Sequence, residues 1–127
     1  MLREAPAFSS FSINDMDNTR EFYSGILGLK VEDDEMGLLN VRLSAGNTIM
    51  MYPKPDHVPA TFTVLNFIVP DIDQVVDELI SKGIEFEQYD SDDLKTDEKG
   101  ISRSNGMSMA WFTDPSGNIL SVLEAKH

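Results

Sequence analysis

The chain of 127 residues has no cysteine, one tryptophan, two histidines and only 10 basic residues against 22 acidic ones. Without cysteine there can be no disulfide and no thiolate metal site, which suits the cytoplasm, the expected location. The shortage of basic residues leaves a net charge of −12. Such a surface repels phosphate backbones, so no nucleic acid partner is expected; it attracts cations, and it also keeps a protein in solution. No apolar run reaches the length of a membrane span, and the opening "MLREAPAFSS" lacks the apolar stretch of a signal peptide, so no membrane association is expected. There is no Gly-x-Ser-x-Gly elbow and no glycine-rich phosphate loop, which leaves the familiar nucleophilic and nucleotide-binding motifs unrepresented.

What the chain does contain is a repeat. "INDMDNTREFYSGILGLKV" (13–31) resembles "VPDIDQVVDELISKGIEF" (69–86), with Asp15 and Asp17 meeting Asp71 and Asp73 at a shift of 56 residues. One residue is deleted before Gly28 meets Gly83. "SAGNTIMM" (44–51) resembles "PSGNILSV" (115–122) in the same way. The proline-rich "PKPDHVPA" (53–60) reads as the joint, which predicts modules over 1–55 and 56–127.

Each module reads strand, helix, then three short strands, an α+β arrangement. "AFSSFSIN" and "FTVLNFIV" open the two modules. In the first helix Asn18 and Glu21 have capping-box spacing, and Phe22, Tyr23, Ile26 and Leu27 share a face. In the second, Asp71 or Asp73 can cap, and Ile72, Val75, Val76, Leu79 and Ile80 form the apolar stripe. Gly28 and Gly83 end the two helices. "LKVEDD", "LLNVRLS" and "TIMMYP" then supply strands in one module, "IEFEQY", "SMAWFTD" and "ILSVLE" in the other. The polar stretch "DSDDLKTDEKGISRSNG" is either a lid over a pocket or a solvated excursion carrying a short extra strand.

A doubled βαβββ unit with "EFYSGILGL" on its first helix and "FTDPSGNILSVLE" before its last strand resembles the vicinal oxygen chelate superfamily. That group includes glyoxalases, extradiol dioxygenases, and bleomycin and fosfomycin resistance proteins. The resemblance runs from Phe8 to Glu124. It implies two curved, mixed sheets around a cleft, and a homodimer. Metal-using members place ligands on the first and last strand of each half, and the positions that match here are Phe8, Met50, Val64 and Ser121. Phenylalanine and valine have no donor atom, methionine offers a soft thioether, and a serine hydroxyl is a poor ligand for a hard divalent ion. No metal and no other cofactor is therefore expected. His57 lies in the joint and His127 at the end of the chain, too few imidazoles for a catalytic zinc site.

Strand alternation places Phe8, Ser10 and Ser12 on one face with Val64, Asn66 and Ile68 at the equivalent positions. Thr48, Met50 and Tyr52 share a face, as do Ile119, Ser121 and Leu123. The candidate ligand-binding set is Phe8, Ser10, Ser12, Met50, Tyr52, Val64, Asn66, Trp111 and Ser121. Trp111 and Tyr52 can stack on a planar or cationic ligand, and Trp111 can equally be core. Glu124 and Asp56 could serve as a base only if buried. The expectation is a metal-independent binder of a small organic ligand, cationic or aromatic, like the drug-sequestering resistance proteins. A glyoxalase-like lyase or isomerase, or a dioxygenase-type enzyme, with a non-standard site is the alternative.

Overall fold

The computed structural model describes residues 1–104 and 106–125. The chain forms two compact units, Met1–Pro59 and Ala60–His127. The first contains β1 (Ser9–Ile13), α1 (Met16–Arg20) continued by a π-helical stretch Glu21–Ile26, β2 (Lys30–Asp33), β3 (Leu39–Arg42) and β4 (Thr48–Pro53). The second contains β5 (Thr63–Ile68), α2 (Ile72–Ser81), β6 (Ile101–Ser104), β7 (Met107–Thr113) and β8 (Ile119–Ala125). The sheets run β1-β4-β3-β2 and β5-β8-β7-β6. In each, the outer pair β1–β4 or β5–β8 is parallel and the remaining pairs are antiparallel. The fold is thus α+β, with one βαβββ arrangement occurring twice.

The repeat is written into backbone chemistry. Asp15 and Asp71 both sit in extended conformation before their helices, and each carboxylate accepts a hydrogen bond from the amide three residues on, Asn18 or Gln74. This satisfies one of the orphan donors of a helix N-terminus. Asp15, rather than an Asn18–Glu21 box, is therefore the first cap. Asn18 already lies inside the helix, where its side-chain amide donates to Asp15. Gly28 and Gly83 follow the helices at φ 73° and 98°, the left-handed backbone that glycine adopts without a Cβ penalty.

Three turns share one wiring: Asp34–Gly37, Asp97–Gly100 and Asp114–Gly117. In each, the glycine amide donates to the aspartate carbonyl, and the aspartate amide donates to the carbonyl just beyond the glycine. The aspartate Oδ1 then accepts the amides two and four residues on. Aspartate is selected because one short carboxylate can satisfy both amides of the bend.

Burial follows the pleat. Ile13, Leu39, Val41, Ile49 and Met51 are buried in the first unit beside Phe22 and Tyr23, whose rings meet edge to face at 5.2 Å. In the second unit α2 buries Ile72, Val76 and Leu79, one helical face, and the sheet buries Leu65, Ala110, Phe112, Leu120 and Val122. Truncating a side chain such as the buried Phe112 to alanine should cost about 3–5 kcal/mol.

One predicted strand is absent. Residues 84–89 form no strand; the Glu87 amide donates to the Trp111 carbonyl, and the Tyr89 carbonyl accepts from the Thr96 amide. Ile101–Ser104, within the polar stretch, instead occupies the edge as β6. A tight connection to β7 makes that pairing the entropically cheaper one. Among the described residues no helix is long and apolar enough to cross a membrane.

Candidate ligand-binding face

Each sheet has a buried face and an opposite one. In the first unit the opposite face is set by the register Ser10↔Met50 and Ser12↔Tyr52, continuing through Asn40 beside Met50 and Arg42 beside Thr48. Ser10, Ser12, Met50 and Tyr52 therefore share a face, while Phe8 lies just before β1 and is 64% exposed. This face is charged at its far edge. Arg42 pairs with Glu32, and its hydrogen bond and charge hold the Glu32 carboxyl below the usual glutamate range. The His57 Nδ1 lies 2.6 Å from the Ser12 hydroxyl, fastening the turn after β4 to β1. His127 falls outside the described residues.

In the second unit the register Asn66↔Ser121↔Trp111 brings three of the candidates side by side on one face. Ser121 is fully buried, and its hydroxyl donates to the Asn66 side-chain carbonyl. Val64 does not follow the pattern. It is the extra residue of a bulge, since Thr63 aligns with Ile119 while Leu65 already aligns with Leu120. The neighbouring row runs Ile68↔Leu123↔Met109↔Ser102, and the next Ala125↔Met107↔Ser104.

Across β6 and β7 this face holds a cavity of about 370 Å³, lined by Leu94, Ser102, Ser104, Met107, Met109 and Trp111. Of these only Trp111 was anticipated from sequence. The missed signal was the alternation Met107, Met109, Trp111, which puts all three on one side of β7. Tyr89 meets the Trp111 ring edge to face at 5.6 Å. Leu94 comes from the stretch between α2 and β6. Its neighbourhood is folded by the Asp90–Lys95 bridge and by Thr96, which bonds Tyr89 through both amide and hydroxyl.

The end of that stretch is tied to α2 by ion pairs. Lys99 reaches Asp77 at 2.9 Å and Asp73 at 3.4 Å, and Arg103 reaches Asp73 at 2.8 Å. The Asp73 carboxyl is held below its ordinary range, first by the Arg103 hydrogen bond and then by Lys99. Lys99 is raised, chiefly by its bond to Asp77.

Neither suggested base is placed for catalysis. Asp56 is exposed and bonded to Lys54 at 2.7 Å, which holds its carboxyl low. Glu124 accepts the Ile72 amide at 2.8 Å, so it serves as a second acceptor at the start of α2.

The four positions matching family metal ligands do not fit a hard cation. Phe8 and Val64 carry no donor atom, Met50 carries a thioether, and the Ser121 hydroxyl is committed to Asn66. Among the described residues no group of three or more histidines and carboxylates is arranged to hold a metal ion.

A two-sheet βαβββ repeat with this turn chemistry defines a class, and comparison with known families agrees. The Glyoxalase/Bleomycin resistance protein/Dioxygenase superfamily matches residues 9–122, and the chain belongs to it. Among solved structures, a protein from Bacillus anthracis assigned to the glyoxalase family has a TM-score of 0.71 at 19% identity, covering 96% of this chain and 97% of that one. TnmS3, an antibiotic binding protein from Streptomyces sp. CB03234, has a TM-score of 0.69 at 17% identity, covering 97% and 98%. The fosfomycin resistance protein FosX from Listeria monocytogenes has a TM-score of 0.71 at 13% identity, covering 97% and 94%. At these identities the likeness is one of fold. No curated protein matches the chain in sequence.

Proposed function

We propose that the protein binds a small organic molecule without the help of a metal ion, in the manner of a drug-sequestering member of its superfamily. The observation that carries this reading is the cavity on the second sheet, an apolar floor of Met107, Met109 and Trp111 beside the hydroxyls of Ser102 and Ser104. Apolar walls with a few fixed polar groups suit a small-molecule site. The donor-poor residues at the family's metal positions support binding over Lewis-acid chemistry. The antibiotic-binding neighbour supports the ligand class. Asn66 and Ser121 extend the same face toward Trp111, and Ser10, Ser12, Met50, Tyr52, Phe8 and Val64 remain proposed contacts.

Thermal-shift screening of aromatic and cationic compounds tests the proposal. A ligand at one hundred times its Kd adds about 2.7 kcal/mol, which for a chain of this length raises Tm by about 10 °C. Failure of every compound class to shift Tm would count against binding. A lyase or isomerase reading draws its support from the Ser12–His57 contact, the one hydroxyl–imidazole pair among the described residues. Turnover of a carbonyl substrate that is lost in His57→Gln would favour it. We also propose a homodimer, in which exposed Phe62 and Ile68 are apolar side chains available for burial. Light scattering at micromolar concentration decides that point.

A further inference from the structure

The second sheet's binding face carries no ionisable side chain. Read across the register, it presents Asn66 and Ile68 from β5, then Ile119, Ser121, Leu123 and Ala125 from β8. Met107, Met109, Trp111 and Thr113 follow from β7, and Ser102 and Ser104 from β6. A quarter of the chain's residues are charged, so a face of this size drawn at random would hold several. The charges of these strands lie on the other face instead: Arg103 bonds Asp73, and Glu124 bonds the start of α2. The net charge of −12 therefore does not describe the strands that floor the cavity. A cation resting on it would meet no counter-charge from these strands, and an indole face alone is a weak replacement for the hydration lost in contact with them.

The floor also has a shape. Met107 to Trp111 extends about 13 Å along β7, at about 3.3 Å per residue. Beside it, about 4.8 Å away, β6 offers Ser102 and Ser104, whose positions lie about 7 Å apart along the strand. One rail is thioether and indole, the other hydroxyl, and Leu94 also lines the space.

We propose that the ligand is an uncharged, flat, elongated aromatic molecule that lies along β7 with its polar edge over the two serines of β6. This rests on the binding reading above and narrows it. A tricyclic ring system matches the length of the floor. Its faces meet the polarisable thioethers and the indole, contacts that suit sulfur and aromatic rings.

The test compares acridone, a neutral tricycle with a carbonyl and an N–H, with proflavine, a cationic tricycle of similar size. The emission of Trp111, the only tryptophan, reports occupancy. Acridone should quench saturably, at least about tenfold more tightly than proflavine, with little change between about 50 mM and about 500 mM NaCl, since no charge pair is made. Tighter binding of proflavine that weakens with salt would overturn the uncharged-ligand inference and leave the binding reading standing. If neither compound nor any further uncharged or cationic ring quenches Trp111, the binding reading itself fails. Ser104→Ala should weaken acridone about threefold or more, while the exposed position keeps the fold intact. Unchanged affinity in that variant would overturn the placement over β6.

Discussion

Replacing Asp114 with alanine is predicted to be the most damaging of three chemically equivalent substitutions. The Asp114 Oδ1 accepts the amides of Ser116 at 2.8 Å and Asn118 at 2.9 Å, and Oδ2 accepts the Asn118 side-chain amide at 3.1 Å. Asp34 makes the same set with Met36, Leu38 and Asn40, at 2.8, 3.0 and 3.3 Å. Asp97 repeats the two amide bonds with Lys99 and Ile101. The wiring is shared, and the surroundings differ. Asp114 is 5% exposed, with Ser116 and Asn118 buried beside it, whereas Asp97 is itself exposed and Asp34 half-buried. In Asp114→Ala water cannot take over, and each orphaned buried amide costs roughly 1–3 kcal/mol. The sum is about 4 kcal/mol, a fall in Tm of about 15 °C for a chain of this length. Asp34→Ala and Asp97→Ala should lose far less, because solvent replaces the carboxylate. Asp114→Asn should fall between, keeping one acceptor but turning a donor toward the Asn118 amide. Urea and thermal unfolding of the three alanine variants give the comparison. Equal losses in all three would refute the claim that burial, rather than bond count, sets the cost.

The link between the Leu94 stretch and α2 should loosen in acid. Asp73 is held below the ordinary aspartate value of 3.8, so its contribution is complete above that pH and disappears as pH falls through its lower folded value. Protection against hydrogen exchange at residues 90–100, taken relative to the intrinsic rate at each pH, should therefore fall below about pH 4, and Asp73→Asn should show the same loss of protection at neutral pH; equal protection in that variant would exclude the link. Glu124→Ala should cost about 1 kcal/mol by removing an acceptor at the start of α2, with Glu124→Gln recovering part of it in urea titrations. Gly100→Ala should be much worse than Gly37→Ala. Both glycines have positive φ, but an added Cβ at Gly100 would sit 2.7 Å from the Phe86 Cβ, while nothing lies near Gly37. Paired melting curves check the order.

Much of this architecture was legible in the sequence because local chemistry writes it down. The aspartate that opens each helix and the glycine that closes it recur at matching positions, and both perform those roles. Of the apolar stripe Ile72, Val75, Val76, Leu79 and Ile80, the residues Ile72, Val76 and Leu79 form the buried side of α2, whereas Val75 is half-buried and Ile80, at the stripe's edge, is exposed. The Asn18–Glu21 spacing misled because capping needs an extended backbone, which Asp15 has and residues inside α1 lack. The π-helical stretch after Arg20 left no mark in the pattern, since it shifts the helical register without changing which residues are apolar. The edge strand was misplaced because Ile84 and Phe86 carry a strand-like alternation. They spend it on burial and on the Phe86–Phe112 ring contact instead of a ladder. Much of the cavity was missed because two of its six lining residues are serines on β6, inside a stretch whose composition reads as loop. A short extra strand is one of two readings of that stretch, but periodicity over four residues is too short to place it against so polar a background.

The most direct test of metal-independent binding is a titration of Trp111 emission with acridone, performed with and without excess EDTA. Saturable quenching with the same Kd in both conditions is the predicted result. Quenching that vanishes with the chelator and returns on adding a divalent ion would contradict it.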